Sequence, residues 1–263
     1  MDELLDIMQR LRDPQSGCPW DQKQTLESIF PFTLEEVYEV GDAIDRDDTQ
    51  DLRKELGDLL FQIVFYAQIA KEKGDFEFAD VVNAICEKMI RRHPHVFSDV
   101  VYANEAEQKA AWHRIKAEER AETPSQAAAN DDFFADIPKT LTSLQQSQKI
   151  LKKASTVGFD WNDWRPIIDK IQEELDEIIE AVENKESQQR IEEEVGDLFI
   201  ASTNLARHLN VDAENATRKA GNKFAKRFNR MQELTQALYP DVEEHTLEHM
   251  DHAWEAVKEE ERS

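Results

Sequence analysis

Two stretches decide the fold. Glu36-Val37-Tyr38-Glu39 is followed by Glu55-Leu56-Gly57-Asp58, and Glu174-Leu175-Asp176-Glu177 is followed by Glu194-Val195-Gly196-Asp197. Glu174 stands 138 residues after Glu36, and Asp197 stands 139 after Asp58, so order and spacing both repeat. Residues three apart on a helix lie roughly 60° apart and share a face. Two such helices packed together bring four carboxylates around one point. Leu56, Leu59, Leu60, Phe61, Ile63, Val64, Phe65, Tyr66, Ala67 and Ile69 then cover nearly every direction around one axis, which marks a buried helix. Leu198, Phe199, Ile200, Ala201, Leu205 and Ala206 do the same in the second copy.

Acids on helices usually form a solvated face. Here they head core helices, where unpaired charge is costly. Two anions ~5 Å apart repel by roughly 3 kcal/mol at an effective dielectric of 20. Four clustered anions therefore need compensation, and a hard dication with oxygen ligands, Mg²⁺ by default, supplies it.

Working outward, 263 residues with only 7 Gly and 8 Pro, and apolar residues at helical spacing, predict an all-α fold. Its form is two tandem copies of a four- to five-helix bundle. The tails repeat as well: Ala111-Trp112, Lys116 and Glu118-Glu119-Arg120 answer to Ala253-Trp254, Lys258 and Glu260-Glu261-Arg262. Lys88 and Arg92 parallel Lys223 and Arg227, and Gly17-Cys18-Pro19-Trp20 loosely matches Gly158-Phe159-Asp160-Trp161. Ala121 to Asp132, rich in Ala, Ser, Pro and Asn without apolar rhythm, reads as a linker. The expected domains are 1–121 and 133–263, joined by 122–132. Helices are expected near 2–12, 32–46, 50–73, 78–92 and 105–120, then 139–154, 164–184, 187–209, 212–238 and 246–261.

A net charge of −24 disfavours nucleic acid and anionic membranes as partners. Cys18 and Cys86 make no disulfide framework. The longest apolar run, Leu59 to Ala70, is too short to span a bilayer. Met1 runs into an amphipathic segment rather than a signal sequence, and a cytoplasmic location is expected.

One segment reverses the overall charge. Arg218, Lys219, Lys223, Lys226, Arg227 and Arg230 stand together with no acid between Ala216 and Gln232. Such a helix is often plain solvated surface; beside a metal site it suits phosphates. Trp254 and Lys258, four apart, offer a base-stacking face and an oxygen partner.

These motifs together resemble the MazG-type nucleoside triphosphate pyrophosphohydrolases of the all-α NTP pyrophosphatase superfamily, in the tandem two-domain form. The resemblance covers essentially the whole chain. It implies Mg²⁺-dependent hydrolysis of NTP or dNTP to nucleoside monophosphate and pyrophosphate, broad base tolerance and a helical homodimer. Carried over residue by residue, Glu174, Glu177, Glu194 and Asp197 hold metal. Lys223 and Arg227 grip phosphates, Trp254 packs on the nucleotide, and Lys170, Glu173, Arg190, Glu193 and Lys258 line the same pocket. Water attacks near the α-phosphorus, with Glu193 or a metal-holding carboxylate such as Glu174 or Glu177 taking the proton.

The copies differ. Arg53-Lys54-Glu55 answers to Glu192-Glu193-Glu194, so Lys54 places a cation where Glu193 places an acid, and Phe65 answers to Asn204. The resemblance implies that the C-terminal domain of a tandem member is the active one, and these departures agree, so catalysis is expected in 133–263, with 1–121 structural or regulatory. Binding without turnover is the alternative for the first half. A di-iron bundle is disfavoured because neither acidic helix carries Glu-x-x-His. His245, His249 and His252 share a helical face that reads as a polar strip. Arg91-Arg92-His93-Pro94-His95 reads as a helix terminus with some capacity for phosphate.

Overall fold

The computed structural model describes residues 1–121, 132–242 and 244–262. The expected linker lies outside the described residues except for Asp132. The described residues contain helices and no strand, and the chain divides into two compact units, Met1–Thr123 and Pro124–Ser263.

In the first unit, α1 (Asp2–Leu11) lies on α4 (Thr49–Lys73), and α4 forms a hairpin with α3 (Leu26–Asp45). Met8, Ile29, Val64, Phe65 and Ile69 make the core where these three helices meet. Arg12, nearly buried just past α1, ties the end together. It donates to Glu72 through Nε (2.8 Å) and Nη2 (2.6 Å) and to the carbonyls of Asp21 and Gln24 through Nη1. Asp21 belongs to the short α2 (Pro19–Gln22). Then come α5 (Phe78–Arg92), the single turn α6 (Pro94–Phe97) and α7 (Glu105–Ala121).

The second unit repeats this plan. α8 (Ser143–Ser155) lies on α10 (Gln188–His208), which forms a hairpin with α9 (Arg165–Glu183). α11 (Ala213–Leu238) pairs with α12 (Leu247–Glu260) around Met231, Ala253 and Val257. Both acidic hairpins turn through one left-handed residue, Asp47 (φ 54°) and Lys185 (φ 55°). Both second helices are capped by a side chain, Asp48 accepting from Gln50 and Asp51 amides and Ser187 from the Arg190 amide.

Two boundaries differ from expectation, and two short helices are added. α3 starts at Leu26, not near 32, and carries Pro31 inside it. Proline inside a helix costs about 3 kcal/mol. The reciprocal Thr25–Ser28 cap and burial of Ile29 hold the first turn in spite of it. α8 starts at Ser143, not near 139, because Pro138 and the following residues form turns ahead of Thr142. The single-turn helices α2 and α6, each beginning with proline, were not expected.

Candidate functional site

The acids of the second unit meet where α9 and α10 pack. Lys170, Glu173, Glu174 and Glu177 share one face of α9, and Arg190, Glu193, Glu194 and Asp197 share one face of α10. Glu174, Glu194 and Asp197 each offer an oxygen within 4.8 Å of the others. Glu174 is 3% exposed and Glu194 2%, whereas Asp197 faces solvent. Glu177 lies outside this tight triad but feels it. Burial, then the charges of Glu194 and Glu174, raise its carboxyl above the usual range.

Two cations hold the triad from its rim. Lys170 Nζ stands 2.8 Å from Glu174 Oε1 and 2.8 Å from Glu173 Oε1, and these bonds push its pKa above the usual lysine range. Arg190 contacts Glu194 through Nη2 and lies 3.5 Å from Glu193. One oxygen of each buried carboxylate still lacks a hydrogen bond, Glu174 Oε2 and Glu194 Oε1. For Glu194 that oxygen touches Arg190, yet the contact lacks hydrogen-bond geometry, so it counts as charge proximity alone. Unbonded oxygens buried in an all-carboxylate set fit a hard divalent cation.

The remaining candidates form a second group on α11 and α12. Arg227 Nε donates to both oxygens of Glu261 (2.9 and 2.8 Å). Trp254 packs on Phe224 with ring centroids 5.3 Å apart, and Lys258 pairs with Glu255. Lys223 is exposed on the same helix as Arg227. Among the described residues, no hydrogen bond or ion pair joins this group to the acidic triad. The Arg227–Glu261 contact has a twin: Arg92 donates to Glu119 from Nε (3.0 Å) and Nη2 (2.5 Å). Sequence reasoning missed this strut, although the repeated tail glutamates carried the signal.

In the first unit Glu36, Glu55 and Asp58 form the matching triad, shallower than its twin. Phe32 and Asp51 stand where Lys170 and Arg190 do in the second half. Phe32 packs edge-on to Trp20, and Asp51 draws Arg46 (2.5 Å) and Lys54 (3.2 Å) to itself. Lys54 is therefore engaged away from the triad. Burial, then Asp58 and Glu39, raise Glu36; burial, then Asp51 and Glu39, raise Glu55. Gln62, 8% exposed, donates to Glu36 at 3.5 Å, at the limit of a hydrogen bond.

Asn204, buried in α10, has a partner set that its match Phe65 lacks. Its Oδ1 accepts from Arg207 Nε (2.9 Å), and Arg207 Nη2 and His208 Nε2 both reach Asp160. Burial pushes Asp160 up, but those two partners outweigh it and hold the carboxyl below its usual range.

The family profile of the MazG nucleotide pyrophosphohydrolase domain matches residues 24–97 and 165–231, one segment in each unit. A protein named nucleoside triphosphate pyrophosphohydrolase from Escherichia coli (strain K12) is 50% identical over 262 residues, 99% of this chain and 98% of that relative. A protein named nucleoside triphosphate pyrophosphohydrolase/pyrophosphatase MazG from Thermotoga maritima is 43% identical over 257 residues, 98% of this chain and 95% of that relative. The chain, with its twice-used acidic hairpin, belongs to the MazG nucleotide pyrophosphohydrolase family.

Proposed function

We propose that this protein hydrolyses nucleoside triphosphates, ribo- and deoxyribo- alike and with broad base tolerance, to nucleoside monophosphate and pyrophosphate. The second unit, 133–263, does the chemistry, and 1–121 serves assembly or regulation. The observation that carries the reading is the buried pair Glu174 and Glu194 converging with Asp197 while Glu174 Oε2 stays unbonded and Glu194 Oε1 meets only the charge of Arg190. The names of the relatives above support it, since they cover nearly the whole of this chain.

Glu174, Glu194 and Asp197, with Glu177 beside them, would hold Mg²⁺. When bound, such an ion neutralises triphosphate charge and polarises the phosphoryl group. Lys170 and Arg190, released from the carboxylates, then turn to phosphate oxygens. Lys223 and Arg227 supply further positive charge, Trp254 a face for the nucleotide, and Lys258 and Glu173 line the pocket. Glu193, exposed on α10, accepts the proton of the attacking water near the α-phosphorus, or Glu174 or Glu177 does.

A homodimer accompanies this reading. Ile179 (54% exposed) on α9 and Phe199 (58%) on α10 leave the acidic hairpin with apolar residues facing solvent. No helix among the described residues is long and apolar enough to cross a membrane, and a cytoplasmic location goes with the proposal.

Chromatographic identification of products from the whole chain and from 133–263 alone tests it. Both should release monophosphate and pyrophosphate with Mg²⁺. Glu194→Gln should lower the rate by roughly 10²–10³, the scale of losing one electrostatic contact to the transition state. Robust turnover by 1–121 alone, or none by the whole chain, would overturn the assignment. A Glu193→Gln chain that keeps full rate would move the base to Glu174 or Glu177.

A further inference from the structure

Arg92 answers to Arg227, but the His93-Pro94-His95 turn that follows it has no counterpart in the second half and no part in the chemistry above. It walls a cleft of about 450 Å³ between the end of α5, the single turn α6 and the first turns of α7. The copies diverge here because α5 stops at Arg92, ahead of Pro94, whereas α11 runs on eleven residues beyond Arg227 to Leu238.

The polar atoms in this cleft are held in place. Arg91 and Arg92 share one carboxylate, Glu119, which leaves a surplus of positive charge at the end of α5. His93 Nδ1 lies 2.8 Å from the Met89 carbonyl, which can only accept, so that nitrogen carries a proton. The Gln108 amide donates to His95 Nε2 at 3.1 Å, which puts the proton of His95 on Nδ1. That Nδ1 is buried and has no hydrogen-bond partner. Lys109 projects from α7 into the same space, and Tyr102 packs on His95 with centroids 5.5 Å apart. A buried donor without an acceptor, between a lysine and an arginine cluster, fits an anionic oxygen.

An aromatic ring completes the cleft. Trp112 forms part of its wall, with Lys116 Nζ over the ring 4.3 Å from its centroid. An indole fixed beside a cationic pocket offers a π-face to a base. Glu105, also in the wall, can accept from sugar hydroxyls but repels further phosphate charge. The volume lies within the range of small-molecule sites.

We propose that this cleft is a second nucleotide site, in the first unit and independent of metal. Its ligand is a nucleoside monophosphate, with phosphate against Arg92, His95 and Lys109 and base against Trp112. The proposal does not rest on turnover in the second unit.

Equilibrium dialysis of the whole chain against AMP in chelator tests it, with inorganic phosphate as a second probe. Lys109→Glu, an exposed change that spares the fold, should weaken AMP by about tenfold or more, as should His95→Phe. The share of AMP binding lost in Lys109→Glu should persist in Arg227→Glu, which removes a phosphate contact of the second unit only. In ¹⁵N-histidine NMR, AMP should shift the Nδ1 signal of His95. No uptake of millimolar AMP, loss in Arg227→Glu with retention in Lys109→Glu, or a still His95 signal overturns the site. Inorganic phosphate binding as tightly as AMP overturns the nucleotide assignment. Mg²⁺-dependent NTP turnover measured on Lys109→Glu separates failure of this site from failure of the proposed activity.

Discussion

At the residue scale, the two triads share carboxylates but not their electrostatics. Lys170 and Arg190 neutralise Glu174 and Glu194, whereas Phe32 and Asp51 leave Glu36 and Glu55 without such partners. Glu36 and Glu55 are raised in the folded protein, so the folded state binds more protons than the unfolded one. Their contribution to stability falls as pH rises above the unfolded value of 4.5. In chelator, Glu36→Gln should therefore melt higher than wild type at pH 7, with the gap closing towards pH 4. Mg²⁺ should stabilise wild type more than the variant, and thermal denaturation across pH with and without the ion checks both. Glu119 behaves oppositely. Hydrogen bonds from Arg92, and after them Arg91, hold its pKa down at about 2. Glu119→Gln should cost about 1–2 kcal/mol at pH 7 after allowance for solvent screening, and the loss should vanish as pH falls from 4.5 towards 2.

At the element scale, one repeated glycine serves two needs. A Cβ on Gly17 would lie 2.4 Å from the Leu11 carbonyl oxygen and 2.6 Å from that of Asp13, backbone atoms that cannot step aside. Gly158, its loose match, has open space around it but φ of +90°. Gly17→Ala should destabilise the first unit by about 2 kcal/mol or more, read as an earlier unfolding transition of the whole chain. Changing Gly158 acts through backbone strain alone. This is where the sequence was least legible. The match of Gly17 to Gly158 was visible; the reason for each glycine was not, because close approach is a tertiary fact. Pro31 likewise hid the first turn of α3, since the Thr25–Ser28 cap that overrides it reads as ordinary polar residues. The acidic hairpins were plain because buried helices headed by carboxylates break the usual partition of polar and apolar residues. The Arg–Glu struts went unread although the tail glutamates repeat, because a charged pair looks like ordinary surface until the helices that bear it are seen to meet.

At the scale of the molecule, duplication gives two hairpins that each leave apolar residues in solvent. On α9 and α10 these include Ile179, Val182 (54%) and Phe199, beside residues assigned to the reaction. Ile179 follows Glu177 by two positions and Phe199 follows Asp197 by two, so acids and apolar residues point in different directions from the same helices. The duplicated plan was legible from acid spacing alone. What covers the apolar residues was not, because one sequence does not distinguish a buried intramolecular face from one buried against a copy. If a second copy covers them, charge placed there must act on assembly first and on activity through it. Ile179→Asp with Phe199→Asp should convert a dimer into a monomer in sedimentation while the helical circular dichroism stays near wild type. Each buried side chain of this size contributes about 1.5–3 kcal/mol, so two from each of two copies make a loss sufficient to dissociate a micromolar dimer. NTP turnover should fall with dissociation and recover at higher protein concentration if the assembled form is the active one. A wild-type chain that sediments as a monomer while turning over NTP would remove the dimer from the mechanism and leave the acidic hairpin to work within one copy.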